Sequence, residues 1–407
     1  MPLIKSTLPN SVRVLTDPVP TVRSVSIGVW CHSGSAHEPV ERAGIAHFAE
    51  HMLFKGTKSR TAKEIAEAVE SRGGILNAFT DKLNTCYYVR CLGEDMENAF
   101  EVLSDMFTDS NLASDDLETE RKVILEEIRR SEDEPGDAVH DLHVEGLWPN
   151  HVLGRPVLGS PETVSATSQQ DMRGYVEQSH TGHKVVVSVA GNANPDEVAA
   201  LAQKHLGSLA AGEPSHDPGP VVGTPGDRFV EKDVEQVHFC IGGPGVGIHD
   251  PLLHTQMVLD NILGGGMSSR LFQEVREKRG LAYAIGTYGL YYPSGGCLTV
   301  YGGTSQETWT EVQAVVADEF ARMAKEGPTE EEVDRTKRMV AGNIALGLEA
   351  MNSRMIRSGR NELTFGREVT IDETLEKFGK VTRSAVQELA ERLLDPATRR
   401  TTAIGPA

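Results

Sequence analysis

The sequence predicts an α+β fold with two homologous domains, each a mainly antiparallel sheet with packed helices. Three observations support this. The chain has 407 residues, more than one hydrophobic core usually organises. Residues 208–227 are rich in proline and glycine, as expected of a linker. The part after the linker repeats the element order of the part before it, so one α+β unit is used twice. We therefore expect an N-terminal domain at 1–207 and a C-terminal domain at 228–407.

The first half alternates strand-like and helix-like stretches. Its β-rich runs have turn residues on both sides, and its helical runs have apolar residues at helical spacing. The expected strands lie in residues 3–33, 75–80, 85–92 and 185–191, and the expected helices in 61–72, 94–107 and 114–130. A further helix should follow Asn194, a good N-cap residue, with Pro195 at its first position.

The segment 44–54 is the most informative part of the chain. It contains His47, Glu50 and His51 in the pattern H-x-x-E-H. On a helix, positions i and i+4 share a face, so the two imidazoles can hold one Zn²⁺. Glu50 can then take a proton from metal-bound water. A buried helix with polar satellites fits the same letters, so the motif needs a third ligand.

The segment 114–130 offers that ligand. Ser114 is a suitable N-cap, and apolar residues recur at helical spacing behind it. Glu120 and Glu127 are seven residues, hence two turns, apart on one face. A solvated acidic face explains them equally well in isolation. A catalytic zinc, however, takes three protein ligands and keeps one open position, which a carboxylate from a second helix would complete.

Together these residues resemble the pitrilysin/insulysin metallopeptidases, and in particular the mitochondrial processing peptidase and its bacterial relatives. The resemblance covers nearly the whole chain and is carried by the run from His47 to Thr57, followed by Glu120 and Glu127. It implies the processing peptidase/LuxS-like metallohydrolase fold and one zinc ion per chain. By position, His47, His51 and Glu127 would be the ligands, Glu50 the general base, and Glu120 the carboxylate that supports a ligand histidine.

The second half has no equivalent of this metal site. In the repeat alignment Met257, Asp260 and Asn261 stand where His47, Glu50 and His51 stand in the first half. The second domain should therefore have another role.

A glycine run in the second half is one candidate for that role. Gly264, Gly265 and Gly266 precede a serine-capped helix but lack the Gly-Lys-Ser/Thr ending of a phosphate-binding loop, so nucleotide binding is rejected. This glycine run resembles the loop that admits substrate in the processing peptidase branch of the family. A flexible strand-to-helix connection remains an alternative.

Two further pairs match the family by position. Arg276 and Tyr283 resemble its Arg…Tyr pair, whose guanidinium and phenol suit the carbonyls and oxyanion of a scissile bond. A surface charge and a half-buried core tyrosine are the alternatives. Asn77 and Ala78 resemble the edge strand that pairs with substrate backbone, although an ordinary edge strand has the same pattern.

Composition limits the functional classes. No run of residues is long and apolar enough for a membrane span, and the N-terminus has no secretory h-region. The five cysteines form no C-x-x-C pair and suggest buried thiols in a reducing compartment. The net charge of −19 argues against nucleic acid as a partner. It fits basic peptide substrates, or simply an acidic surface.

The sequence thus predicts a zinc metalloendopeptidase that hydrolyses peptides or presequence-like segments inside a closed chamber. We expect a homodimer with composite active sites, in the bacterial cytoplasm or, alternatively, the mitochondrial matrix. Two alternatives stay open at this point. One is a non-catalytic core or scaffold subunit of the same fold, and the other is the catalytic subunit of a heterodimeric processing peptidase.

Overall fold

The computed structural model describes residues 2–406. In this range the strands are β1 (Ile4–Thr7), β2 (Arg13–Pro18), β3 (Ser24–Cys31), β4 (Ile75–Thr80), β5 (Thr85–Leu92), β6 (Val185–Gly191), β7 (Gly226–Glu231), β8 (Val237–Gly245), β9 (Ala282–Tyr292), β10 (Gly295–Thr304) and β11 (Arg400–Gly405). The α-helices are α1 (Ile45–Leu53), α2 (Ala62–Glu70), α3 (Met96–Asp109), α4 (Ser114–Asp133), α5 (Pro135–Leu147), α6 (Pro161–Ala166), α7 (Gln169–Ser179), α8 (Pro195–Leu206), α9 (Leu253–Gly264), α10 (Trp309–Glu326), α11 (Glu330–Gly347), α12 (Met351–Phe365), α13 (Ile371–Gly379) and α14 (Arg383–Leu393).

The strands and helices that the sequence predicts are present in the predicted order, with small differences at their ends. The Asn194 side chain does cap α8, accepting hydrogen bonds from two backbone N–H groups, and Pro195 is the first helical residue. Ser114 differs from the prediction. It is the first residue of α4 and not its N-cap, because the Ala113 carbonyl already accepts the first helical hydrogen bond, from Leu117 N.

The chain folds into two compact units. The first unit contains residues 2–128, 155–216 and 345–369, and the second contains residues 129–154, 217–344 and 370–406. Neither unit is one continuous stretch of sequence. Residues 208–225, most of the expected linker, form no helix or strand, and β7 starts at Gly226. The boundaries at 207 and 228 stay a prediction of where the two homologous halves divide.

The two sheets share one topology. The first has the strand order β1-β2-β6-β3-β5-β4, and the second has β7-β11-β8-β10-β9. Without β1, each sheet has five strands. If these are numbered one to five in chain order, their order across both sheets is 1-5-2-4-3. The pairs β2/β6 and β7/β11 are parallel, and the other pairs are antiparallel. This confirms the predicted α+β class with two homologous, mainly antiparallel domains.

The first sheet is covered on both faces. Successive side chains of a strand point to opposite faces, and in β3 the residues Val25, Ile27 and Val29 belong to the main core formed with α1, α3 and α8. Trp30 points the other way, into a smaller core that contains Met355 of α12. Because both faces are covered, every residue of β6 is buried.

The second sheet is built in the same way. Val139 of α5 packs with Cys240 and Ile404 on one face, and α9, α10 and α14 supply the core on the other. Within residues 2–406, no helix combines the length and the apolar character that a membrane crossing requires.

Candidate metal centre

The start of α1 is fixed by a left-handed glycine and a buried carboxylate. Gly44, the N-cap residue, has φ 92°, and a Cβ at this position would lie 2.5 Å from the Leu158 carbonyl oxygen. Glu38 accepts hydrogen bonds from Gly44 N at 2.8 Å and Ala46 N at 2.7 Å. A negative group is favoured there by the free N–H groups and the helix dipole. Burial raises the pKa of Glu38 to about 7, while these two hydrogen bonds lower it.

Three possible zinc ligands converge on the partly exposed face of this helix. The rings of His47 and His51 have centroids 4.6 Å apart. Glu127 Oε2 lies 3.9 Å from His47 Nε2 and 3.7 Å from His51 Nε2. A tetrahedral zinc with bonds of about 2.1 Å separates its ligand atoms by about 3.4 Å. The two gaps to Glu127 exceed this by at most about half an ångström, and all three ligand atoms lie within 4.8 Å of one another, so the two imidazoles and the carboxylate could hold one metal ion.

The second nitrogen of His51 has its own support. The buried Glu120 accepts a hydrogen bond from His51 Nδ1 through Oε2, at 3.0 Å. Its other oxygen, Oε1, lies 2.6 Å from Lys55 Nζ. Because an ionised carboxylate can only accept, this contact favours the tautomer of His51 with the hydrogen on Nδ1, in which Nε2 is the nitrogen that faces Glu127.

The surroundings of His47 differ from those of His51. Burial, and then the neighbouring His51, lowers the pKa of His47 to about 4, so the ring is neutral and can offer a lone pair to a metal. Among residues 2–406, its buried Nδ1 atom has no hydrogen-bond partner. The carboxylate support given to His51 is thus not repeated at His47.

Glu50 lies beside the three ligands but makes a different contact. Its Oε2 accepts a hydrogen bond of 2.5 Å from the Thr80 hydroxyl, at the end of β4. Burial raises the pKa of Glu50, as does the nearby Glu127, whereas Thr80 and His51 lower it. A carboxylate with a raised pKa is suited to taking up a proton near neutral pH.

Asn77 and Ala78 lie on β4, which is an edge strand of the first sheet. Ala78 faces the core that contains α1, and its N–H contacts Asn77 Oδ1 at 2.8 Å. An edge strand has one side free for a further strand, so the location satisfies what the predicted substrate pairing needs. The pairing itself stays a prediction.

The predicted residues of the second half lie in the second unit. Gly264 ends α9, and Gly265 and Gly266 continue into an exposed loop. Arg276 lies in a π-helical segment, Phe272–Glu277, and its guanidinium stacks on the exposed ring of Tyr283 at 4.7 Å. The pair is therefore in contact, by a cation–π interaction, but its role in catalysis stays a prediction.

Comparison with known proteins gives the family. Residues 13–161 match the family described as Insulinase (Peptidase family M16), and residues 166–340 match the Peptidase M16 inactive domain. A protein of Bacillus subtilis named uncharacterized zinc protease YmxG is 40% identical over 393 residues, which cover 95% of this chain and 94% of that one. The chain belongs to the insulinase family.

Other relatives and solved structures agree. An uncharacterized zinc protease of Mycobacterium leprae, ML0855, is 41% identical over 96% of this chain and 89% of its own. The structure of a Pseudomonas fluorescens protein, described as a peptidase M16 inactive domain, matches all of this chain and 98% of its own with a TM-score of 0.93 and 19% identity. A protease from Helicobacter pylori matches with a TM-score of 0.90 at 21% identity, over 100% of this chain and 99% of its own. At such identities these two structures show the insulinase-family fold alone.

Three residues around this candidate metal centre were not predicted from the sequence. Lys55 lies inside the run that carries the family resemblance, but nothing local shows that it reaches Glu120. Thr80 had a weak signal, because it is two residues after Ala78 on a strand and must face the same side. No sequence pattern indicates that Glu38 caps α1. It is separated from the helix by irregular turns, and a single glutamate is not a specific sign of a helix cap.

Proposed function

We propose that this protein is a zinc metalloendopeptidase, and the observation that carries the proposal is the convergence of His47, His51 and Glu127 beside Glu50. Two imidazoles and one carboxylate are the donor set of a catalytic zinc that keeps one position open. The membership of the insulinase family and the names of its bacterial relatives support the same assignment.

The residues would divide the work as follows. His47, His51 and Glu127 would hold zinc, which supplies a Lewis acid that polarises a peptide carbonyl and acidifies water. Glu50 would accept the proton of the attacking water and pass it to the leaving amine. Glu120 and Lys55 keep His51 in the required tautomer and orientation.

The remaining predicted residues would bind substrate. Asn77 and Ala78, on an edge strand, would pair with extended peptide backbone, and the loop at Gly264–Gly266 would admit it. Arg276 and Tyr283 would stabilise the carbonyl oxygen as charge develops. The enzyme would work as a homodimer enclosing a chamber, in which each zinc site is completed by Arg276 and Tyr283 of the partner.

The metal and the base can be tested separately. Glu50→Gln should keep about one zinc per chain and lose peptide hydrolysis, because it removes only the proton acceptor. Glu127→Gln should lose zinc, because it weakens a ligand. Zinc content by atomic absorption and cleavage of an internally quenched peptide are the measurements. Near-normal turnover by Glu50→Gln would show that the assigned chemistry is wrong.

Complementation tests the composite site. Inactive Glu50→Gln chains and inactive Tyr283→Phe chains are mixed under conditions of subunit exchange, and the mass in solution is measured. A heterodimer would have one intact site, so activity should return to about a quarter of the wild-type value for random mixing. If exchange is verified and activity stays absent, the composite-site proposal is refuted.

The charge of the protein motivates the substrate class. With 59 acidic and 40 basic residues, the surface should attract basic, extended peptides, and the attraction should weaken as the Debye length falls from about 10 Å to about 3 Å. Equal cleavage of acidic and basic peptides at low salt would contradict this. The five buried free cysteines and the bacterial relatives support the cytoplasm of a bacterium as the location.

A further inference from the structure

The hydroxyl of Thr80 makes the contact that distinguishes Glu50 from the other carboxylates of the site. Thr80 Oγ1 donates to Glu50 Oε2 at 2.5 Å. A hydroxyl has one hydrogen, and a carboxylate can only accept from it, so the direction of this bond is fixed. Because Oε2 is engaged, the carboxylate plane is set and Oε1 is the oxygen left for another partner.

Thr80 is itself held by rigid surroundings. It is the last residue of β4 and pairs with Thr85 at the start of β5, with the two hydroxyl oxygens 3.3 Å apart. The preceding residue, Phe79, points to the opposite face and packs edge-on against Trp30 at 5.5 Å. Strand alternation therefore forces Thr80 toward the face that α1 covers. The turn after it is closed by Asp81 N bonding to the Asn84 carbonyl at 2.8 Å.

We propose that Thr80 is the positioning residue of the base: its hydroxyl holds Oε2 of Glu50 so that Oε1 faces the attacking water. This inference rests on the proposed function for its kinetic consequence. It also joins two parts of the proposed site, because Thr80 lies on the same face of β4 as Ala78, two residues earlier on the strand expected to bind the peptide backbone. A peptide on that strand and the base would then share one rigid frame.

Two other clusters of polar residues were candidates for a site, but neither supports an inference. A cleft in the second unit is lined by four arginines and three glutamates, so its charges nearly balance and select no ligand; they are Arg270, Arg322, Arg335, Arg383, Glu274, Glu326 and Glu332. Cys240 approaches His140 at 3.5 Å, but burial raises the pKa of this thiol so far that it is not a nucleophile.

The test uses three variants of the full-length, zinc-loaded protein. Thr80→Val removes the hydroxyl and keeps the shape, Thr80→Ser keeps the hydroxyl, and Thr85→Val removes the neighbouring hydroxyl on the paired strand. Each is assayed for zinc content, for kcat and KM on an arginine-containing internally quenched peptide, and for the position of Glu50 by crystallography.

We expect Thr80→Val to retain zinc and KM but to lose about ten- to a hundredfold in kcat, the range for one hydrogen bond to a charged group. Its Glu50 carboxylate should leave the position seen here. Thr80→Ser and Thr85→Val should stay within about threefold of wild-type kcat, with Glu50 in place.

Each contrary result has a clear meaning. If Thr80→Val keeps kcat, or if its Glu50 does not move, Thr80 does not position the base. If Thr80→Ser or Thr85→Val loses as much as Thr80→Val, the effect belongs to the strand and not to the hydroxyl, and the inference is overturned. If the wild type binds no zinc or cleaves no peptide, the proposed function fails, whereas the Glu50 position in the crystals still decides the role of Thr80.

Discussion

Replacing Glu120 by glutamine should weaken zinc binding more than the loss of one charge suggests, because of the two groups that the carboxylate contacts. Its Oε2 receives the His51 Nδ1 hydrogen at 3.0 Å, and its Oε1 lies 2.6 Å from Lys55 Nζ. Both neighbours are donors, and a glutamine side chain has only one oxygen to accept from them. Whichever way the amide turns, its NH₂ group faces a donor.

The size of the effect follows from these contacts. Carboxylates that orient a ligand histidine are typically worth about ten- to a hundredfold in metal affinity, or about 1.4 to 2.8 kcal/mol. Since Glu120 is nearly inaccessible, with 5% of its side chain exposed, solvent cannot replace the lost partner, and we expect the upper half of that range. The zinc dissociation constant is measured by competition with a chromogenic chelator.

A second variant tests the geometric reason. In Glu120→Gln combined with Lys55→Met, the competing donor is gone, so the glutamine oxygen is free to face His51 Nδ1. Zinc affinity should then recover in part relative to Glu120→Gln alone, which is a coupling that only neighbouring residues show. Glu118→Gln, on the exposed face of α4, serves as the matched control and should bind zinc normally. Normal affinity in Glu120→Gln, or no gain in the double variant, would refute this reasoning.

Two further predictions concern stability. His143 is fully buried between Thr299 and Thr402, and burial lowers its pKa to about 3. Because the folded pKa lies below the unfolded value of about 6.5, the protein loses stability as the pH falls from about 6.5 toward 3, by about 2 kcal/mol at pH 5. Urea unfolding gives the free energy of unfolding at pH 8 and at pH 5. Between these pH values, His143→Gln should lose about 2 kcal/mol less stability than the wild type. Equal losses in the two proteins would contradict the assignment. Gly44→Ala should destabilise the protein by about 2 kcal/mol or more in the same urea assay, since the residue has φ 92° and its new Cβ meets a carbonyl at 2.5 Å. Gly73→Ala, with φ 72° and open space around it, should cost only about 1 kcal/mol, and an equal cost at both glycines would show that the close contact at Gly44 is unimportant.

The part of the metal centre that the sequence predicts is the part that helical periodicity determines. His47 and His51 are one turn apart, and Glu120 and Glu127 are two turns apart, so each pair has to share a face once its helix forms. The structure brings these two faces together at His51, which contacts Glu120 through Nδ1 and Glu127 through Nε2. Spacing within each helix was readable, whereas the docking of one helix on the other came from the family resemblance.

The residues that were missed act through contacts across long stretches of chain. Lys55 and Glu120 are 65 positions apart, and Thr80 is 30 positions from Glu50. No local pattern encodes such pairs, because each member alone is a common polar residue with several ordinary explanations. Glu38 illustrates this. Its carboxylate reaches Ala46, eight positions away, across the short 3₁₀ turn Val40–Arg42, whose path the sequence does not define.

The helix that covers the second face of the first sheet could not have been assigned from the sequence either. A strand buried along its whole length, such as β6, requires cover on both faces, but an amphipathic pattern shows only that a helix buries one side, and not which sheet it meets. The selection is made by shape and charge. Gly359 of α12 lies against Trp30, where a Cβ would be 2.4 Å from the indole nitrogen. Glu362, buried at the same surface, pairs with Lys5 at 2.8 Å and with Arg13 at 3.5 Å. A glycine that admits one indole and a carboxylate that needs two cations are compatible with few other surfaces, and a buried carboxylate without its partners would be costly. These long-range requirements explain why residues 345–369 complete the unit that contains the candidate zinc site, although they lie beyond the linker and near the end of the chain.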